Sequence, residues 1–493
     1  MTPKLILVSN REPYVLKRAA DGQLQTHAIS SGLMGALHPA MQAVGGHWIS
    51  WSGFDRETPR QPELPERLEV PLGDKTLSLR RIPLSEREAS LYYYGFACRT
   101  LWPLMHLHLG RVQFDAEAWR AYRRVNQRFT DAVLEAYQPD DLIWIHDFHL
   151  ALVPAMLREA LPSARIGFSW HIPWAPVEVL RALPWCREIT AGILGADQCG
   201  FSLPRHATQF LAAAETLPGV SVVRREEGEG AVLWSERQTR VTAFPLGCAF
   251  ERWEAWASAS RGGRVVRLRR NMVAERLALA VDRLDHTRGM MERISSVQRF
   301  FDRYPSWRGR LVFCQIAVPS RTRAEEYREM KREIDALIED INNRFQQGAW
   351  HPIRYLYRAF SPEELAVYYA ASDVALLTPL SDGLSMVPFE YLASRTREDG
   401  SLILSSLAGA ADELREASIV NPYDEEEVAE TLHDVLERRP EDTRATMRVL
   451  RERARGRDSA RWLTSFFRAA WGEEMNRPSQ AARPSEPSVG MAG

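Results

Sequence analysis

The residues best suited to chemistry fall in short clusters at the ends of apolar runs. Asp282-Arg283-Leu284-Asp285-His286-Thr287-Arg288-Gly289 follows the run 277–281 and sets two guanidinium groups five residues apart on a turn that closes with glycine. Two such cations can neutralise a diphosphate, because a guanidinium grips phosphate oxygens in pairs. Alone, the same residues would serve equally well as a salt-bridged surface turn. Thr378-Pro379-Leu380-Ser381-Asp382-Gly383-Leu384-Ser385-Met386-Val387-Pro388-Phe389-Glu390 reads as a strand end, a glycine turn and a helix starting at 384–387. Pro388 suits a first helical turn, where its missing N–H costs least. The free N–H groups of that start suit a pyrophosphate. Asp382 is then placed to accept sugar hydroxyl bonds, with helix capping as the structural alternative. Glu390, two turns into the helix, is placed to accept ribose hydroxyls.

Two neighbouring strand ends carry the next cluster: Trp144-Ile145-His146-Asp147-Phe148-His149 and Ser169-Trp170-His171-Ile172-Pro173-Trp174. A lone histidine there is more often a satisfied core residue. Asp147 and His171 on adjacent ends point instead to a site. No compact ligand cluster and no Asp-x-Asp motif accompanies them, so neither a metal nor another cofactor is expected. Val8-Ser9-Asn10-Arg11 and Ser30-Ser31-Gly32-Leu33 form a strand end and a small-residue turn whose backbone N–H groups could approach an anion. An ordinary strand-to-helix turn explains them as readily.

The elements that hold these clusters alternate. Short apolar or β-branched runs predict strands at 5–9, 142–146, 165–170, 198–202, 241–245, 277–281, 310–317, 353–356, 373–378, 401–405 and 418–420. Helical periodicity predicts helices at 116–136, 150–160, 207–216, 323–345, 361–371, 425–439 and 459–471. Strands alternating with helices imply parallel sheets covered on both faces, and two such series imply two doubly wound Rossmann-like α/β domains. Ligands of such sheets bind beyond the carboxyl ends of the strands. The expected division is 1–250, 251–455, a helical segment 456–475 and a disordered Pro/Ser/Ala-rich tail 476–493.

Composition narrows the partners. The chain has 493 residues, 63 Lys+Arg against 64 Asp+Glu, so it lacks the basic excess of a nucleic-acid binder. Any anion must be held by local arginines. Five scattered cysteines, Cys98, Cys186, Cys199, Cys248 and Cys314, form no C-x-x-C pair and suggest a reducing compartment. No apolar stretch reaches the roughly 18 residues of a membrane span. A cytoplasmic protein with no membrane partner is expected, and a homo-oligomer is compatible with the sequence.

In this order, V-S-N-R, L-W-P, W-I-H-D, H-I-P, D-R-L-D, P-S-R, D-G-L-S-M-V and N-P-Y resemble the trehalose-6-phosphate synthase family of retaining glycosyltransferases with the GT-B fold. The likeness runs from about Leu5 to about Trp471. It implies two domains facing across a cleft, with glucose moved from a nucleotide-diphosphate glucose, by default UDP-glucose, to glucose 6-phosphate. It implies that Arg11, Tyr93, Trp102 and Arg321 hold the acceptor phosphate, and that Asp147 and His171 contact the sugars. It further implies that Arg283 and Arg288 meet the donor diphosphate, with Ser31-Gly32 looping over the donor. Asp382 would bind the donor glucose, Gly383, Leu384, Ser385, Met386 and Val387 would cradle the diphosphate, and Glu390 would bind the ribose. The helix 459–471 would cross back onto the first domain. Ser31, Arg288, Ser381, Ser385 and Phe389 depart from the family pattern. The segment 183–201 also resembles glucosylglycerol-phosphate synthases, which use glycerol 3-phosphate, and the departures suit a catalytically weak regulatory paralogue. Pro319-Ser320-Arg321 leans towards the trehalose enzymes.

Overall fold

The computed structural model describes residues 3–18, 24–28, 32–53, 65–72, 75–260 and 262–472. Runs such as Leu142–His146, buried at every position, are strands covered on both faces, and they form the parallel centre of a ten-stranded sheet. Across that sheet the strands run Ser221–Arg224, Glu229–Trp234, Arg237–Ala243, Gln198–Phe201, Arg165–Trp170, Leu142–His146, Leu5–Arg11, Gly46–Trp51, Lys75–Arg81 and Arg67–Leu72. Antiparallel hairpins close both edges. A second sheet has six parallel strands in the order Ile353–Tyr357, Leu311–Val318, Arg276–Arg283, Val374–Leu377, Ser401–Ser405 and Ser418–Val420. Two doubly wound α/β sheets are thus present, each with its own buried apolar core. Among the described residues no helix is long and apolar enough to cross a membrane.

Several elements lie outside the sequence-based expectation. Gly46–Trp51, Ser221–Arg224 and Arg67–Leu72 carry no long apolar run, and Arg67–Leu72 buries only alternate residues towards its end. Glu86–Met105 is one helical stretch whose middle, Ser90–Leu101, winds as a π-helix. Its wider turn breaks the 3.6-residue period that would have revealed it, and π-turns concentrate at functional sites.

The helix Ser459–Trp471 packs on the first sheet. Phe466 stacks on Trp144 at 4.4 Å between centroids, and Trp462 lies 5.4 Å from the same ring. Gly167 on the neighbouring strand makes room, since a Cβ there would stand 2.9 Å from the Phe466 ring. Phe466 is fully buried, which stabilises the crossing by about 1.5–3 kcal/mol.

Candidate active site

Each sheet delivers its side chains at carboxyl strand ends. Arg11 ends Leu5–Arg11, Asp147 follows Leu142–His146, His171 follows Arg165–Trp170, and Arg283 ends Arg276–Arg283. Tyr93 comes from the π-helical segment and Trp102 from the helix that continues it. Asp147, at φ 76°, and Arg321, which follows Leu311–Val318 and has φ 48°, carry left-handed backbone. Such strain in non-glycine residues costs about 1–3 kcal/mol and collects where a side chain must be aimed.

The cations from the two sheets converge. The Arg11 guanidinium lies over the Tyr93 ring at 5.0 Å and over Trp51 at 5.2 Å. Tyr93 stacks on His149 at 5.7 Å, with the rings 10° from parallel. Across the gap, Arg321 and Arg283 lie over Trp102 at 4.5 and 5.9 Å. Burial first, then the charges of Arg11, Arg321 and Arg283, hold the His149 imidazole well below its usual pKa. His149 therefore stands neutral among three arginines drawn from both sheets. Desolvation within the cleft, then the charges of Arg288 and Arg321, pull Arg283 itself below the usual arginine range.

Asp285 anchors this cluster. It accepts from Trp102 Nε1 at 3.1 Å, from the Tyr327 hydroxyl at 3.0 Å, and from Thr287 N and Oγ1 at 3.1 and 3.0 Å. It also pairs with Arg321, and both side chains are almost fully buried. Burial alone would push this carboxyl up. Arg321, the Thr287 N–H and the charges of Arg283 and Arg288 instead hold it well below the usual carboxylate range. Arg321 Nε and His149 Nδ1 are buried without a hydrogen-bond partner among the described residues.

On the second sheet, Arg288 Nη1 donates to Asp382 Oδ1 at 2.8 Å. Asp382 Oδ2 accepts the Ser385 N–H at 3.0 Å, so Asp382 organises its own turn as well as facing Arg288. This turn holds Leu384, Ser385 and Met386 ahead of the helix, which starts at Val387, the last residue of the expected span 384–387. Glu390 consequently sits in the first helical turn, not two turns in. It is buried, accepts from the Tyr369 hydroxyl at 3.2 Å, and burial pushes its pKa up to about 7. Gly383 passes so close to the first sheet that a Cβ would stand 3.0 Å from the His171 carbonyl oxygen. Asp147 Oδ1 accepts from Phe148 N at 2.9 Å and His171 N at 3.4 Å. Burial still raises Asp147 to about 6, against those bonds and Arg283.

Of the residues expected from sequence, Ser31 lies outside the described residues, and Gly32 opens the helix Gly32–Val44. The others gather at the facing ends of the two sheets. Sequence reasoning left three contributors unassigned. Asp285 and His149 stand inside motifs already noted, and only the fold shows what each touches. Arg293, 1% exposed, donates to Asp282 Oδ2 at 2.5 Å, Thr378 Oγ1 at 3.0 Å, Gln315 Oε1 at 3.0 Å and the Arg288 carbonyl at 2.8 Å. It ties three strand ends and the Arg288 turn together. In sequence it is one more arginine on a helix.

Residues 3–471 match the profile of glycosyltransferase family 20. The bifunctional trehalose-6-phosphate synthase/phosphatase of Thermoproteus tenax is 38% identical over 476 residues, which cover 94% of this chain. The chain spans 63% of that relative's length. The α,α-trehalose-phosphate synthase (UDP-forming) of Burkholderia xenovorans, solved in complex with glucose-6-phosphate, superposes with a TM-score of 0.85 at 30% identity, covering 95% of this chain and 100% of that one. The E. coli protein bound with UDP-2-fluoro glucose gives a TM-score of 0.84 at 30% identity, covering 95% and 98%. With one continuous match from the first strand to the crossing helix, the chain belongs to glycosyltransferase family 20 and, within it, to the trehalose-6-phosphate synthase family of GT-B enzymes.

Proposed function

We propose that this protein transfers glucose from UDP-glucose to glucose 6-phosphate with retained anomeric configuration, giving trehalose 6-phosphate. The observation that carries this reading is that cations of both sheets meet in one cleft: Arg11 lies over Tyr93, which stacks on His149, while Arg283 and Arg321 lie over Trp102. Arg11 and Arg321, beside Tyr93 and Trp102, suit an acceptor phosphate; the buried, unpartnered Arg321 Nε is a donor such a dianion would satisfy. Arg283 and Arg288 suit the donor diphosphate, with the turn Gly383–Val387 beneath it. Asp382 takes glucose hydroxyls, and Glu390 takes the ribose. As the diphosphate leaves, negative charge develops on it, and fixed guanidinium groups stabilise that charge without reorganising. Losing one such contact costs roughly 10²–10³ in rate. Asp147 and His171 hold the sugars at the reacting centre. The acceptor hydroxyl attacks from the face the diphosphate leaves, and the departing phosphate oxygen takes its proton. Side-chain cations rather than a metal carry the diphosphate charge in this reading.

The relatives support the substrates by their own ligands, glucose-6-phosphate in the B. xenovorans enzyme and UDP-2-fluoro glucose in the E. coli protein. The test is UDP release by purified protein, in EDTA, from UDP-glucose with an acceptor panel. Glucose 6-phosphate should be used far better than glycerol 3-phosphate, giving an α,α-linked product. Preference for glycerol 3-phosphate would reassign the acceptor. No UDP release with any acceptor would overturn the catalytic reading.

A further inference from the structure

His146 precedes Asp147, and the mechanism does not use it. It is fully buried, and its Nδ1 lies 3.0 Å from His171 Nε2. Its own Nε2 is buried with no partner among the described residues. The neighbouring Trp144 ring, 4.4 Å away between centroids, offers none, because its indole N–H is spent on Ser169 Oγ at 3.0 Å. His171 is only half-buried, and among the described residues its Nδ1 has no hydrogen-bond partner and is not among the buried unpartnered atoms, so that edge is accessible.

We propose that His146 is a positioning residue that donates from Nδ1 to His171 Nε2, so that His171 presents its Nδ1–H to the bound sugars. One proton lies between the two rings, and only two arrangements are open to a pair of neutral imidazoles. If His171 Nε2–H were the donor, His146 would carry its own proton on Nε2, a buried N–H without an acceptor among the described residues. A buried orphan donor is rarer and costlier than a buried lone pair left unused. The reverse arrangement leaves only the bare Nε2 lone pair of His146 unmet. His171 must then hold its proton on Nδ1, as a hydrogen-bond donor at the cleft edge beside Gly383.

The same bond keeps His171 uncharged. To protonate it, Nε2 must take a proton and the bond must reverse, which recreates the orphan N–H on His146. The titratable groups facing His171 are His146 and Asp147, whose Oδ1 accepts the His171 backbone N–H at 3.4 Å. The crossing helix faces it with the uncharged Trp462, 6.2 Å between ring centroids, and the donor turn with Gly383. Burial holds the His146 imidazole well below its usual range and lowers that of the half-buried His171 as well.

The role of the Nδ1–H in transfer rests on the proposed function; the proton's position does not. The test is therefore the tautomer itself, read by ¹H–¹⁵N correlation of the unliganded full-length protein with ¹⁵N-labelled histidine at pH 7.5. His171 should show a protonated Nδ1 and a bare Nε2, and His146 a protonated Nδ1. His146→Phe fills the space without a donor. His171 should then lose its tautomer preference and titrate at higher pH. Transfer by this variant should fall about tenfold in kcat, less than the roughly 10²–10³ for outright loss of a donor at a reacting centre, with acceptor KM unchanged. His146→Asn sets an amide N–H near the Nδ1 position and should recover most of the rate. A wild-type spectrum with His171 protonated on Nε2 overturns the proposal whether or not the enzyme is active. So does a His146→Phe protein with unchanged tautomer and kcat. Should His146→Phe fail to fold, the wild-type spectrum and the Asn variant decide.

Discussion

Replacing Asp285 with Asn tests how the acceptor cations are held. The substitution keeps an oxygen for Trp102 Nε1 and the Thr287 groups but removes the only carboxylate bonded to Arg321 among the described residues. Arg321 and Asp285 are both almost fully buried, so the loss leaves a cation in low dielectric with Arg283 close by. Breaking a buried pair from one side costs about 3–5 kcal/mol, and the retained hydrogen bonds place this change near about 3 kcal/mol. For a domain of this size that lowers the melting temperature by about 6–12 °C. Because Asp285 is held below the unfolded carboxylate value of about 3.9, its contribution is complete above that pH and is lost only as pH falls further. The deficit of the variant should therefore be constant from pH 6 to 9 and shrink only in acid. A misdirected guanidinium also forfeits a charged hydrogen bond to the acceptor phosphate, about 1.5–3 kcal/mol, or about 10–150-fold in glucose 6-phosphate KM. UDP-glucose KM should stay within about twofold. Calorimetry and steady-state kinetics check both. A variant that melts with the wild type, or that loses donor and acceptor affinity equally, would refute the anchoring role.

Two other sites give sharp expectations. Glu390 has a folded pKa of about 7 against about 4.3 when unfolded, so its ionisation penalises the fold increasingly as pH rises between those values. Glu390→Gln should be more stable than wild type by up to about 3 kcal/mol at pH 8, match it near pH 4, and bind UDP more weakly; calorimetry and UDP titration read this. Gly167→Ala would put a Cβ 2.9 Å from the Phe466 ring and should destabilise by about 1–3 kcal/mol while freeing Ser459–Trp471 to protease first. Unchanged stability there would mean that the crossing helix is not closely packed.

What sequence revealed follows from burial. Strands covered on both faces, such as Leu142–His146, announce themselves as unbroken apolar runs, and their carboxyl ends located Arg11, Asp147, His171 and Arg283. Half-exposed strands such as Arg67–Leu72 carry no such run. Tyr93 was legible only through family likeness, because its π-helical turn hides the helix period. Glu390 was placed a turn too deep because the Asp382–Ser385 bond, which delays the helix, joins side chain to backbone and leaves no periodic trace. Asp285, His149 and Arg293 act through partners distant in sequence. Asp285 meets Trp102 from 183 residues away, a contact that only the folded chain supplies.

Both ligands must meet in one crevice, and a crystal structure of the protein with UDP and glucose 6-phosphate tests this most directly. The sugar phosphate should lie within about 3 Å of guanidinium nitrogens of both Arg11 and Arg321, and the UDP phosphates within about 3 Å of Arg283 and Arg288. Glucose 6-phosphate bound away from Arg11 and Arg321, with UDP still on Arg283, would contradict it.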